Sequence, residues 1–220
     1  MLSSKNMRGK KAIFVDVDGT ILKGSSLVMF VKYVYDKKVM NLKDIIKISC
    51  YYALYRLKLL KLSNRRIRVN YPRKEMEKLV EDCWTNKIKH RIFKKGLELI
   101  REYRKKNFMV VLVTAAPCFI VKYIKKYVKA DYMICSEILL GKNAIIIKGI
   151  AKGREKRRRM LKFAREKNID LEKSVSISNY ITDKWMLKTT GKAIVVNPDI
   201  RLRRLANKMK WKIMHFKETI

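Results

Sequence analysis

Two aspartates follow a short apolar run near the start of this 220-residue chain. Residues 12–15 (Ala-Ile-Phe-Val) predict a buried strand, and Asp16 and Asp18 come directly after it, before the turn residue Gly19. Spaced two apart in an extended chain, the two carboxylates point to the same side. Two buried acids are costly unless a cation or a reaction needs them, and oxygen ligands suit a hard ion such as Mg²⁺. The pair predicts acid–base chemistry or a magnesium site; the alternative is an Asp-Gly turn that Asp18 merely caps.

A second apolar run also ends at a polar residue. Residues 108–113 (Phe-Met-Val-Val-Leu-Val) are typical of a strand buried on both faces, and Thr114 follows them. Pro117 suits the first turn of a helix, and the small residues before it let backbone N–H groups approach an anion. This junction predicts either an anion site or an ordinary strand-to-helix turn with a hydroxyl cap.

A third short strand is predicted at residues 174–178 (Ser-Val-Ser-Ile-Ser), and it ends at Asn179, with Asp183 close behind. Between the second and third strands, residues 152–167 predict a helix that carries the densest basic run of the chain. That run alone is compatible with a nucleic-acid patch, but no aromatic residues interleave with it, so a solvated helix face is the better interpretation.

Residues 16–20 (Asp-Val-Asp-Gly-Thr) resemble motif one of the haloacid dehalogenase-like phosphatases. The resemblance implies that Asp16 attacks phosphorus and becomes an aspartyl-phosphate. It implies that Asp18 protonates the leaving oxygen and later activates water. Thr114 stands where motif two of this family hydrogen-bonds the transferring phosphoryl group.

The remaining motifs resemble those of the phosphoserine-phosphatase-like branch. Gly153-x-Glu155-Lys156 resembles motif three, in which a lysine neutralises charge between nucleophile and phosphate. Lys156 is the expected lysine, and Lys152 is the second choice.

Motif four of the family has two aspartates separated by three residues, and the first binds Mg²⁺. This chain has Asn179 in the first position and Asp183 in the second. The resemblance implies a Mg²⁺ site formed by Asp16, Asp18, Asn179 and Asp183. An amide carbonyl can ligate Mg²⁺, but one formal charge is lost, so the expected enzyme is a Mg²⁺-dependent phosphomonoesterase, and whether Asn179 lowers its metal affinity and rate stays open. The alternative is a catalytically weakened binding or regulatory protein.

The fold expected from the alternating strands and helices is α/β, a doubly wound, mostly parallel sheet with ligands at the carboxyl ends of its strands. The predicted catalytic core comprises residues 1–22 and 106–220. Residues 23–105 are predicted to form an all-helical cap inserted between motifs one and two, in which Asn41 caps a helix running towards Leu62.

The chain is strongly basic, with 54 Lys and Arg against 19 Asp and Glu, a net charge of +35. Nucleic-acid binding, an anionic membrane surface and a lysine-rich composition are the competing explanations; the even spread of charge favours composition, and no motif supports a nucleic-acid partner. The expected substrate is a small phosphorylated metabolite or a lipid phosphate. Residues 45–62, apolar and studded with cations, keep a membrane surface open as a partner, although they are expected to pack inside the cap.

The expected localisation is cytoplasmic, peripheral to the membrane if residues 45–62 bind it. The polar, basic residues 1–11 precede no apolar run long enough for a signal peptide. The four cysteines, Cys50, Cys83, Cys118 and Cys135, form no Cys-x-x-Cys motif, so reduced thiols are expected rather than zinc or disulfides.

Overall fold

A computed structural model describes residues 9–56, 60, 64–69 and 73–220. In these residues a single eight-stranded sheet has the order β2-β5-β4-β3-β1-β6-β7-β8. The strands are β1 Ala12–Val15, β2 Arg65–Arg68, β3 Met109–Pro117, β4 Tyr132–Gly141, β5 Ala144–Gly149, β6 Val175–Ser178, β7 Lys192–Val196 and β8 Lys212–Met214. The helices are α1 Ser26–Asp36, α2 Leu42–Arg56, α3 Arg73–Cys83, α4 Lys94–Lys105, α5 Cys118–Val128, α6 Arg154–Glu166, α7 Lys184–Leu187 and α8 Ile200–Lys208.

The central strand β1 is buried on both faces because its side chains alternate between two layers of helices. Ile13 and Val15 pack into the larger core, which includes side chains of α1, α3, α4 and α5. Ala12 and Phe14 face the other side, where they join a cluster that contains Met160 of α6. The predicted doubly wound α/β fold is confirmed.

The register of the parallel strands brings the predicted site residues to one edge. Val15 pairs with Leu112 of β3 and with Ile177 of β6. The next residues along these strands therefore leave the sheet together, and the Asp16 N–H donates to the Ile177 carbonyl at 2.9 Å. In the part of the sheet with the order β4-β3-β1-β6-β7-β8, every two neighbouring strands are parallel.

In the described part of residues 23–105 the regular elements are helices except for one strand. Residues Arg65–Arg68 form β2 and pair antiparallel with β5 at the edge of the core sheet. The all-helical prediction is therefore wrong at this strand, because a short Arg-rich segment with a single buried side chain, Ile67, carries little strand signal. The predicted cap by Asn41 is confirmed, since its Oδ1 accepts from the Asp44 N–H at 2.8 Å.

The helix that Asn41 starts is described as far as Arg56. Residues 57–59 and 61–63, which complete the predicted apolar segment, and residues 1–8 lie outside the described residues. No helix in the described part of the chain is long and apolar enough to cross a membrane.

The cysteine prediction is wrong for one pair. Cys118, the first residue of α5, and Cys135 of β4 form a disulfide with a Cα–Cα distance of 5.2 Å. The pairing follows from the parallel alignment of β3 and β4, in which Pro117 lies beside Ser136. Cys50 and Cys83 are free.

Candidate active site

Asp16 lies at the carboxyl end of β1 and is almost completely buried, at 6% exposure. Both of its carboxylate oxygens are engaged. Oδ2 accepts a hydrogen bond from the Thr20 hydroxyl at 2.8 Å, and Oδ1 accepts one from the Lys156 ammonium at 2.8 Å. The strand end and the tight turn after it therefore hold the carboxylate in one orientation.

Lys156 links Asp16 to a second buried carboxylate. Its Nζ lies 2.7 Å from Asp183 Oδ2, and the same oxygen accepts from the Ser178 hydroxyl at 2.7 Å. The lysine is in the first turn of α6, which begins after Gly153 at φ 59°. Lys156 therefore contacts Asp16, as expected from the motif, and Asp183 binds the same ammonium.

Burial sets the electrostatics of this cluster. It raises the pKa of Asp16 to about 6, against the lowering effect of Lys156 and with a further rise from Asp183. Burial alone would lower the pKa of Lys156, but the two carboxylates raise it above its ordinary value. One ammonium therefore faces two carboxylates.

Asp18 faces the start of the helical block. Its Oδ1 accepts from the Ser26 N–H at 3.0 Å and its Oδ2 from the Ser25 hydroxyl at 3.2 Å, so the carboxylate caps α1. Burial raises the pKa of Asp18, and the bonds from Ser26 and Ser25 offset part of the rise. Ser25 itself makes no side-chain cap within α1, because its hydroxyl serves Asp18.

Thr114 is buried in β3, which continues beyond the predicted stop to Pro117 with an irregular register. Its Oγ1 accepts from the Ala116 N–H at 3.1 Å. The Ser136 hydroxyl of β4 donates to the Ala115 carbonyl at 2.7 Å. The end of β3, residues 114–117 (the Thr114 segment), is therefore fixed from inside by Thr114 and from the neighbouring strand by Ser136.

Asn179 completes the edge at the end of β6. The Thr20 hydroxyl that binds Asp16 lies 3.2 Å from Asn179 Oδ1. Gly19, at φ +77°, packs against the same amide, and a Cβ at this position would overlap Asn179 Nδ2. Glycine is therefore required here both for its backbone conformation and for space.

The side-chain oxygens of Asp16 and Asn179 at this edge are suitable ligands for a hard cation. A carboxylate and an amide supply one formal negative charge, whereas two carboxylates would supply two. The oxygens of Asp16 and Asn179 converge on one hydroxyl, and carboxylate and amide oxygens are ligands that suit Mg²⁺. Within the residues that the structure describes, no group of three or more His, Cys, Asp or Glu side chains converges as a metal site. Asp183 and Asp18 direct their bonded oxygens to Lys156 and to α1.

Sequence reasoning assigned no part in the site to three hydroxyls: Thr20 on Asp16, Ser178 on Asp183 and Ser25 on Asp18. The only signal that points to Ser178 and Thr20 is their place beside a strand end that carries an acid. Lys152, the second choice for motif three, precedes α6, whereas the buried Lys156 contacts Asp16.

Comparison with known sequences and structures gives consistent matches. The sequence model of the haloacid dehalogenase-like hydrolase family matches residues 13–188. A Streptomyces azureus protein named for inhibition of morphological differentiation is 23% identical over 220 residues, covering 94% of this chain and 79% of that protein. A phosphoserine phosphatase of Mycobacterium tuberculosis is 26% identical over 226 residues, covering 94% of this chain and 71% of that protein.

The fold is shared with solved structures. A phosphoserine phosphatase structure with an analogue of its phospho-aspartyl intermediate superposes with a TM-score of 0.64 at 19% identity. The match covers 96% of each chain. It includes the helical block as well as the sheet.

Proposed function

The chain belongs to the haloacid dehalogenase-like hydrolase family, and we propose that it hydrolyses phosphomonoesters through an aspartyl-phosphate on Asp16. The observation that carries the proposal is the buried contact between Asp16 Oδ1 and Lys156 Nζ, at 2.8 Å. A lysine fixed beside a strand-end carboxylate can neutralise a phosphoryl group brought to that carboxylate. The phosphatases among the relatives support the same chemistry.

In the first step, a carboxylate oxygen of Asp16 forms a bond to phosphorus as the bond to the leaving oxygen breaks. Asp18 donates a proton to that leaving oxygen. The raised pKa of Asp18 favours a protonated carboxyl, which a general acid requires. The Lys156 ammonium and the Thr114 segment at the end of β3 are the groups proposed to face the charge on the transferred phosphoryl group.

In the second step, water attacks the phosphorus of the aspartyl-phosphate, and Asp18, now a carboxylate, accepts the proton of that water. The bond between phosphorus and the Asp16 oxygen breaks, which releases inorganic phosphate and restores Asp16. Asp183 and Ser178 act as positioning residues, since Asp183 binds the lysine and the Ser178 hydroxyl donates to Asp183.

Mg²⁺ is the proposed cofactor, and Asp16 and Asn179 are the residues best placed to hold it. The other predicted ligands, Asp18 and Asp183, remain part of the proposed set. Asp18 also accepts a hydrogen bond from α1, and Asp183 also accepts one from Lys156. When bound, the ion supplies Lewis-acid stabilisation of phosphoryl oxygens. The proposed substrate is a small phosphorylated molecule, for which the net charge of +35 provides an attractive field.

Hydrolysis of p-nitrophenyl phosphate with Mg²⁺, with and without EDTA, tests the proposal. Wild type is expected to turn over and to lose turnover in EDTA. Asn179→Asp is expected to lower the Mg²⁺ concentration needed for half-maximal activity by about tenfold, because it restores a ligand charge. Thermal shift at increasing Mg²⁺ gives the same comparison without turnover.

The alternative of a weakened binding or regulatory protein makes a different forecast. In that case wild type stays inactive at every Mg²⁺ concentration, and Asn179→Asp alone gains activity. If neither protein turns over and Mg²⁺ shifts neither melting curve, the metal-dependent mechanism is wrong.

We also propose, as a second candidate role, attachment of α2 to an anionic membrane surface, with lipid phosphate as the substrate. Leu42, Ile46 and Leu54 of α2 are 55%, 54% and 41% exposed, and Leu42 and Ile46 lie one turn apart on the same side of the helix. Lys43 and Lys47 are exposed beside them, and the Lys47 ammonium also donates to the Arg68 carbonyl at 2.8 Å. Apolar side chains beside lysines suit the interface of an anionic bilayer.

Sedimentation with phosphatidylglycerol-rich vesicles at physiological salt tests this attachment. Wild type is expected to sediment, and the double substitution Leu42→Ser and Ile46→Ser is expected to reduce bound protein about tenfold. Ile200→Ser is the matched control, since Ile200 is an exposed apolar residue on α8. Binding that is absent, or equally reduced by all substitutions, removes the membrane role.

A nucleic-acid partner gains no support from the basic run on α6. Arg158 and Arg159 both pair with Glu155, and Arg159 also pairs with Glu137. Part of this run is therefore engaged within the protein.

A further inference from the structure

We propose that the Cys118–Cys135 disulfide is a redox-responsive site, whose oxidised form holds the Thr114 segment, residues 114–117 at the end of β3, in its active position. This inference rests on the proposed phosphatase function. It assigns the site a class of reactant, low-molecular-weight thiols and disulfides.

The disulfide joins α5 and β4, the two elements on either side of the Thr114 segment. Cys118 follows Pro117 at the start of α5, directly after that segment, and Cys135 lies in the neighbouring strand β4. The Ser136 hydroxyl, next in β4, donates to the Ala115 carbonyl of the Thr114 segment at 2.7 Å and accepts from the Ala151 N–H at 3.0 Å. Ser136 therefore contacts both the Thr114 segment and the residues that lead to α6.

Cys135 is also connected to the helix that carries Lys156. The Arg159 guanidinium of α6 donates to the Cys135 carbonyl at 3.0 Å, and the same side chain is paired with Glu137. A shift of Cys135 on reduction would act on both the Thr114 segment and α6. Cys50 and Cys83, which form no disulfide, lie in α2 and α3.

The two sulfurs differ in accessibility, which defines the order of exchange. Cys118 is partly exposed, whereas Cys135 is buried. A small thiolate attacks Cys118 Sγ, the S–S bond breaks, and Cys135 leaves as the thiolate. A second thiolate then attacks the small-molecule sulfur, which releases Cys118 and a small-molecule disulfide. Two electrons pass to the protein pair, which takes up two protons as it becomes two thiols.

Reduction is expected to lower kcat/KM because it removes the covalent link between the end of β3 and β4. The Ser136–Ala115 hydrogen bond and the strand pairing remain, so the Thr114 segment keeps its fold with wider freedom at Thr114. A coupling free energy of about 0.5–2 kcal/mol corresponds to a loss of about 3- to 30-fold in kcat/KM. The cytoplasmic location expected from the sequence fits this role, since cytosolic disulfides are usually transient or redox-sensing.

The experiment equilibrates the full chain in buffers of reduced and oxidised glutathione and measures two quantities. Thiol labelling under denaturing conditions counts free cysteines, which should rise from two to four as the pair is reduced. Hydrolysis of p-nitrophenyl phosphate gives kcat and KM in the same samples. Cys118→Ser and Cys135→Ser should match the reduced wild type and lose the response to glutathione, whereas Cys50→Ser should keep it.

Three outcomes overturn the proposal: a pair that stays oxidised across the glutathione range, kcat/KM values of the two forms within twofold, or serine variants that match the oxidised form. Circular dichroism of the serine variants separates a lost tie from a lost fold. If wild type turns over no substrate, the phosphatase proposal fails separately, and calorimetry with inorganic phosphate replaces the rate. Equal phosphate affinity in both redox forms then overturns the redox proposal.

Discussion

Asp16→Asn is expected to lower kcat for p-nitrophenyl phosphate by about 10⁴-fold or more, while the protein stays folded. The amide keeps the shape of the side chain and can still accept from Thr20, but it cannot form an aspartyl-phosphate. The substitution also removes a carboxylate whose pKa burial raises to about 6. Steady-state kinetics measures the loss, and urea unfolding measures stability.

Asp131→Asn is the matched control. Asp131 accepts from the Val110 N–H at the opposite end of β3 and lies 3.7 Å from Arg104. It is an aspartate tied to the same sheet but far along the strand from Thr114, so turnover should stay within twofold of wild type. A variant Asp16→Asn that keeps more than one hundredth of wild-type kcat would contradict a nucleophilic role for Asp16.

The Asp16 carboxylate also makes the stability of the folded protein depend on pH. In the unfolded chain an Asp has a pKa near 3.8, and in the fold Asp16 has a pKa of about 6. The folded state therefore binds more protons between these values. Its stability contribution from Asp16 is present below the unfolded pKa and is lost as the pH rises through about 6. A bound cation would oppose that loss by favouring the charged form.

The sequence predicts which edge of the sheet carries the site, because the ends of buried strands can be recognised from apolar runs. Residues 12–15 and 108–113 are continuous apolar runs, and parallel strands align their carboxyl ends, so Asp16 and Thr114 must lie at the same edge. The resemblance to known motifs identified Lys156, which the structure places 2.8 Å from Asp16.

Features that depend on contacts between distant segments cannot be recognised from the local sequence in this way. Strand β2 contains three arginines and one buried isoleucine, and it becomes a strand only because the edge of β5 is available to it. Cys118 and Cys135 are 17 residues apart with no motif, and only the β3–β4 alignment brings them together. For the same reason the sequence did not predict the hydrogen bond from the Ser178 hydroxyl to Asp183, because the turn after β6 brings these two residues together.

Lys156→Met is expected to destabilise the protein by about 3–5 kcal/mol and to lower kcat/KM at least 100-fold. Methionine has a similar length and carries no charge, so Asp16 and Asp183 lose the ammonium that lies 2.8 and 2.7 Å from them. The pKa of Asp16, already raised to about 6, should rise further. The folded variant then binds still more protons than the unfolded chain, so its stability should increase as the pH falls from 8 towards 4.

Adding Asp183→Asn to Lys156→Met separates the structural role of the lysine from its catalytic one. The second substitution removes one of the two carboxylates that the first leaves unpaired, and the new amide can still accept from the Ser178 hydroxyl. Urea unfolding at pH 8 should show the double variant to be more stable than Lys156→Met alone. Its kcat/KM should stay as low, because no ammonium faces the phosphoryl group. If stability and activity recover together, Lys156 serves only to hold Asp183 and Asp16 in place; if neither recovers, Asp183 has a role beyond pairing with the lysine.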